Sequence, residues 1–233
     1  MQNRPRSPWI GGDRVAESQT ARHLEALGIS VIRSAERSPD LAGKGRSPGA
    51  HIDIVHLWNL IGDWTLAQFR NAMSHGVPAV VSTIYNRNQY ALTRYEDQAE
   101  IARGCLALPN STAESQKLRA DFSVDGHVVV NGMDPKTIPE PGGRKRHFAL
   151  FVGRIDERKR VLELVHAWRD PRIRRIPLVL IGHPFLDSYS RRVLEAAGET
   201  SSIRFLGELE PSALARFYAG ARIFVLPSRL ETP

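Results

Sequence analysis

Short apolar runs rich in β-branched residues alternate with stretches of helical periodicity along the whole chain, and this alternation narrows the fold most. Residues 29–33, 52–57, 79–84, 105–108 and 127–130 read as strands, each short and apolar at consecutive positions. Consecutive apolar residues are expected where a strand is buried on both faces of a parallel sheet. Helical stretches lie between them at 14–27, 65–75 and 112–122. The first stops at Gly28, the second at Gly76 with Pro78 beyond, and the third follows Asn110 and Ser111, which suit an N-cap. Residues 131–146 break the pattern with Pro135, Pro139, Pro141, Gly142 and Gly143 and read as a linker between domains. The alternation then restarts, with strands at 148–152, 178–181, 203–206 and 223–226 and helices at 157–168, 186–197 and 212–218. Two such series predict two α/β domains with parallel sheets, ligands at the carboxyl ends of the strands, and an active site in the cleft between them. The domains are expected at 1–134 and 147–233, joined by 135–146.

Both ends read as cut. A helix precedes the first clear strand, so an opening strand is missing or reduced to Trp9 and Ile10, and the last strand runs out with no helix after it. The apolar runs are far too short to cross a bilayer, and residues 1–8 carry two Arg and no apolar core of a signal segment. One cysteine, Cys105, cannot make an internal disulfide. A cytoplasmic protein is expected, with peripheral contact at the inner face of a membrane left open.

The formal net charge of +7 is unevenly placed: residues 1–140 hold 15 basic and 15 acidic side chains, residues 141–233 hold 17 and 10. A basic second half suggests an anionic partner, or an Arg-rich solvated surface. Its sharpest feature is the run from Phe151 through Gly153, Arg154, Asp156, Arg158 and Lys159 to Arg160. A strand ends at Gly153 and Asp156 can cap the next helix, which would place three cations in a first turn where the helix dipole disfavours them. A phosphate would compensate, gripped by Arg154 and Lys159, and so would exposure to water. Gly11 and Gly12 before a helix form a second, weaker phosphate-approach loop.

Other chemistries lack the needed spacing. The eight His show no paired metal-ligand motif, and no Ser elbow flanked by Gly is present. His56, His183 and Glu231 each follow or end a strand, where a structural or solvated role competes with a catalytic one. Nucleic-acid binding is not expected, because aromatics total 7% and no basic–aromatic module occurs. The run Arg172, Arg174 and Arg175 near Trp168 reads as a solvated helix end or a membrane-surface contact.

Together these pieces resemble the two-domain GT-B glycosyltransferases of the family 4, group 1 type. The resemblance runs through Gly11-Gly12, Asp53-Ile54-Val55-His56, Pro109 to Ser115, Val129 to Asp134, Gly153-Arg154 with Lys159, Ile203 to Gly207, and Ala221 to Ser228 with Glu231. It implies two Rossmann-like domains facing a cleft, the second incomplete. It further implies a retaining enzyme moving a sugar from a nucleotide diphosphate donor to a saccharide or lipid-linked acceptor. Gly153, Arg154 and Lys159 would hold the donor diphosphate and stabilise the departing nucleotide without a metal or other cofactor. Phe205 and Leu206 would meet the base, Gly11 and Gly12 the acceptor side, and Glu231 the donor sugar as catalytic carboxylate. The family's second carboxylate would fall beyond Pro233, so the chain as given is expected to be inactive. Ile84-Tyr85-Asn86 stands where many members carry a His, so no catalytic His is assigned. A nucleotide-sugar epimerase of the same fold and a non-catalytic phosphate- or membrane-binding module are the alternatives.

Overall fold

A computed structural model of the chain describes residues 12–34, 36–41, 51–85, 93–132, 147–184 and 187–229. The chain divides into two compact units, one up to Gly132 and the other from Met133 to Glu231.

In the first unit, α1 (Gly12–Ala26) precedes β1 (Val55–Trp58), α2 (Gly62–Ser74), β2 (Ala79–Ser82), α3 (Tyr95–Gly104), β3 (Leu106–Leu108) and α4 (Thr112–Phe122). The three strands form a parallel sheet in the order β1-β2-β3. Val55, Leu57, Val81 and Ala107 from the sheet join Phe69, Ile101, Leu118 and Phe122 from the helices in one core. The helix α4 starts as its sequence dictates, because Ser111 accepts from the Glu114 amide across the first turn.

Two expected strands of this unit do not form. Residues 29–33 form no strand and pair with none among the described residues. Residues 127–130 run beside β3, with the His127 and Val129 amides donating to Ala107 and Pro109 at 2.9 and 2.8 Å. Val128, Val129 and Val130 are nonetheless exposed, and none of them joins the core of the unit. Conversely, α3 was not anticipated. Its N-cap Arg94 supplies no side-chain bond, and it is held by burying Ala99, Ile101 and Ala102.

In the second unit, β4 (Ala149–Val152), α5 (Val161–Ala167), β5 (Leu178–Ile181), α6 (Ser188–Gly198), β6 (Ile203–Phe205), α7 (Pro211–Gly220) and β7 (Ile223–Phe224) alternate. The parallel sheet has the order β6-β5-β4-β7. The consecutive apolar residues of β4 and β5 serve both faces. Ala149, Phe151, Leu178 and Leu180 pack under α5 and α6, whereas Leu150, Val179 and Ile181 pack with Leu214 and Phe217 of α7. Full burial of each large side chain contributes roughly 1.5–3 kcal/mol.

This order reverses direction once: from β4 the chain steps outward to β5 and β6, then returns to place β7 on the other side of β4. At such a switch point the loops after two neighbouring strands diverge and leave a crevice at the carboxyl edge.

Candidate functional site

The loop after β4 stands at this switch point and carries Gly153, Arg154 and Lys159. The expected helix over 157–168 is not continuous. Asp156 accepts from the Lys159 amide at 3.1 Å and closes a 3-10 turn at Glu157–Lys159. Arg160 then adopts left-handed backbone (φ 53), and α5 begins only at Val161. Arg158 and Lys159 therefore precede the helix, and the expected helix-dipole penalty is corrected. A nearby carboxylate offsets two of the loop's arginines: Asp156 Oδ2 lies 3.4 Å from Arg154 and 3.2 Å from Arg158. Arg160 turns aside to Glu163 at 3.2 Å.

The loop is rigidly held. Ile155 is fully buried, its amide donates to the His183 carbonyl at 3.0 Å, and its carbonyl accepts from Ser190 Oγ of α6 at 2.9 Å. The Arg229 amide donates to the Arg158 carbonyl at 2.8 Å, joining the segment after β7 to the loop after β4. Ser228 Oγ, beside this tie, is buried with no hydrogen-bond partner among the described residues.

The edge itself is lined by glycines brought together from three strands. The Gly153 amide donates to Ile181, and the Gly182 amide donates to Gly207 at 2.8 Å. Gly182 has φ +151 and Gly207 φ +71, backbone that a side chain disfavours. Of these three glycines, the sequence assigns a donor-binding role to Gly153, while Gly207 enters only through the family resemblance. The alignment of Gly182 and Gly207 with Gly153 depends on sheet order and has no local signal.

Phe205 ends β6, and the Leu206 amide is committed to the Leu180 carbonyl at 3.0 Å, so that N–H is not open to a ligand. His183 follows β5 with Glu208 3.8 Å away. Gly12 opens α1. Gly11, Asn86, Glu231 and the segment 135–146 lie outside the described residues.

The first unit has its own carboxyl-edge arrangement. His56 Nε2 lies 2.9 Å from Ser82 Oγ, its ring stacks on Trp58, and burial lowers its pKa to about 4. Ile84 follows β2 with φ 45, an unusual conformation for a β-branched residue. The buried Glu114 carboxylate brackets it, accepting from Thr83 Oγ1 at 2.6 Å and from the Tyr85 amide, and also from the Asn110 amide at 2.8 Å. The sequence marks Asn110 and Ser111 as the cap of the next helix and carries no sign of Glu114, which binds that segment to the strand-end loop. Cys105 is chemically quiet, since burial pushes its thiol up to about 12. Among the described residues, no group of three or more His, Cys, Asp or Glu stands together as a metal site. Nor is any helix among them long and apolar enough to cross a membrane.

Two parallel-sheet units, the second with a switch-point loop holding paired arginines, define an α/β protein of the GT-B glycosyltransferase fold. Residues 146–233 match the family model described as glycosyl transferases group 1, so the resemblance read from the sequence is supported over that segment. Solved structures agree on the fold. Anabaena HepE, solved in complex with UDP and glucose, aligns with a TM-score of 0.70 at 14% identity, over 98% of this chain and 74% of its own. The avilamycin A biosynthesis glycosyltransferase AviGT4 gives 0.59 at 20% identity, over 94% and 63%. The pneumococcal O-GlcNAc transferase GtfA, solved with UDP and GlcNAc, gives 0.51 at 17% identity, over 70% and 35%. The chain thus spans only part of each of these proteins. No curated protein matches the sequence.

Proposed function

We propose that the chain is part of a retaining glycosyltransferase that moves a sugar from a nucleotide diphosphate donor to a saccharide or lipid-linked acceptor. The observation that carries this reading is the Arg154–Asp156–Arg158 cluster at the switch point, within the segment that matches the group 1 family. Asp156 holds two guanidinium groups near one another and balances only one of their charges. A diphosphate arriving at the crevice adds the missing negative charge, and charge-assisted bonds to it are the strong kind. Arg154 and Lys159 would bear the phosphates and stabilise charge developing on the departing nucleotide, which is differential binding of the transition state. The glycine-lined edge would let the donor approach backbone. Phe205 and Leu206 would border the base, Glu231 would face the donor sugar, and Gly11 and Gly12 would serve the acceptor side.

HepE and GtfA were solved with UDP, which makes UDP the first nucleotide to test. Calorimetric titration of the complete protein with UDP should show binding that Arg154→Ala with Lys159→Ala weakens at least about tenfold. Unchanged affinity in that double variant, with unchanged thermal unfolding, would remove the diphosphate role. Transfer from a UDP-sugar that requires added acceptor then supports the transferase. Donor turnover without acceptor would instead favour the epimerase.

A further inference from the structure

A second basic locus lies in the same unit, at the opposite edge of its sheet. Arg169, Arg174 and Arg175 line a cavity of about 440 Å³ together with Glu199, Thr200, Ser201 and Ser202. The lining segments lead directly into the amino ends of β5 at Leu178 and β6 at Ile203, so this cavity is separate from the carboxyl-edge crevice.

Helix geometry accounts for one of the three arginines. The carbonyl end of α6 attracts a cation, and Arg169 serves it, donating to the Ala196 carbonyl at 3.3 Å and to Glu199 at 2.8 Å. Arg174 and Arg175 are surplus to that need. Among the described residues neither guanidinium has an ion pair or a hydrogen bond, and Glu199 is the one carboxylate in the lining. Two unbalanced guanidinium groups beside a third repel one another, so an anion gains from all of them. The turn in the same lining has donors to spare. Ser202 Oγ is buried with no partner, and the amides of Ser201 and Ser202 find no acceptor among the described residues. A buried hydroxyl without a partner is costly unless something fills the role.

We propose that this cavity binds a phosphate group, forked by Arg174 and Arg175 and accepting hydrogen bonds from the Ser201–Ser202 turn. Arginine forks match the oxygens of a phosphate, and the cavity leaves room for the rest of a phosphate ester. A soluble phosphate ester and a phospholipid headgroup share this chemistry. The site does not depend on the proposed donor reading.

The test uses the complete protein and reads binding at the amino-edge amides themselves, so that phosphate held elsewhere in the unit does not count. Inorganic phosphate is titrated while the amide resonances of Ser201 and Ser202 are followed. In parallel, the protein is sedimented with phosphatidylcholine vesicles made with and without phosphatidylglycerol. Saturable shifts at both amides are expected, weakened at least about tenfold by Arg174→Ser with Arg175→Ser. Ser202→Val should weaken them too, whereas Arg191→Ser with Arg192→Ser, an equal change of charge on α6, should not. Phosphatidylglycerol-dependent sedimentation that is lost only in the Arg174/Arg175 variant identifies the headgroup as the source, and shifts without sedimentation identify a soluble ester. Absence of both saturable shifts and phosphatidylglycerol-dependent sedimentation overturns the proposal. So does equal weakening in the two double-arginine variants, which reduces the effect to net charge.

Discussion

The carbonyl oxygen of Gly153 occupies the space that a side chain on Gly182 would need: a Cβ there would lie 1.7 Å away. The two glycines stand on adjacent strands at the carboxyl edge, and their closeness brings the loop after β4 against the loop after β5. Backbone is the obstacle, so no flexible side chain can move aside. Gly182→Ala must shift one strand end or the other, besides adopting an unfavourable φ of +151. A cost of about 3 kcal/mol or more is expected. That corresponds to a fall in Tm of roughly 6–12 °C. A Tm within about 2 °C of the parent protein would show that this edge relaxes freely.

Asp156 has two functions that substitution can separate. Its Oδ1 caps the turn at the Lys159 amide, while its Oδ2 faces Arg154 and Arg158. Asparagine keeps a capping oxygen, but alanine keeps neither function. Asp156→Ala should cost about 1 kcal/mol in chemical denaturation and Asp156→Asn only a few tenths. Equal losses from both would mean that the charge, and not the cap, holds the loop.

Glu114 binds the strand-end loop around Ile84 to α4. Its carboxylate accepts from Thr83, Tyr85 and Asn110, and a Gln side chain offers only one oxygen in place of two. Glu114→Gln should lower stability by about 2 kcal/mol in urea denaturation. Thr83→Val should cost less, and the double variant should fall short of the sum, because the two residues share one bond. Full additivity would contradict that account.

His56 gives the first unit a pH dependence of defined sign. Its folded pKa of about 4 lies below its ordinary 6.5, because burial disfavours the charged ring. Between those values the unfolded chain binds the extra proton and the folded one does not, so stability falls as pH drops from 6.5 towards 4. The full effect is on the order of 3 kcal/mol. It is intact above about pH 6.5. Thermal unfolding across this range should show a steeper loss in the parent protein than in His56→Phe. Parallel curves would place the ring proton elsewhere.

Much of this architecture was legible locally. Residues 178–181 and 112–122 form the strand and helix their patterns predict, since an unbroken apolar run and a Ser cap each act within a few residues. The strand misreadings at 29–33 and 127–130 share one cause. β-branched composition marks a segment able to extend, but a strand also needs a neighbour and a face to bury. Helix α3 escaped notice for the opposite reason: its cap is weak, and burial of three small or apolar side chains holds it in place.

The sequence by itself determined the order of strands and helices in the second unit, the position of the Gly153-Arg154 loop after a strand, and the capping role of Asp156. These follow from periodicity, burial on two faces and short-range hydrogen bonds, all written in contiguous residues. Only the tertiary structure decided that Gly153, Gly182 and Gly207 line one edge, that Asp156 stands between two arginines, that Glu114 reaches back to Thr83, and that Arg174 and Ser202 line one cavity. Each of these joins separate segments of chain or fixes a turn closed by its surroundings. Sheet order and side-chain packing set such distances, and neither is encoded in any local run of residues.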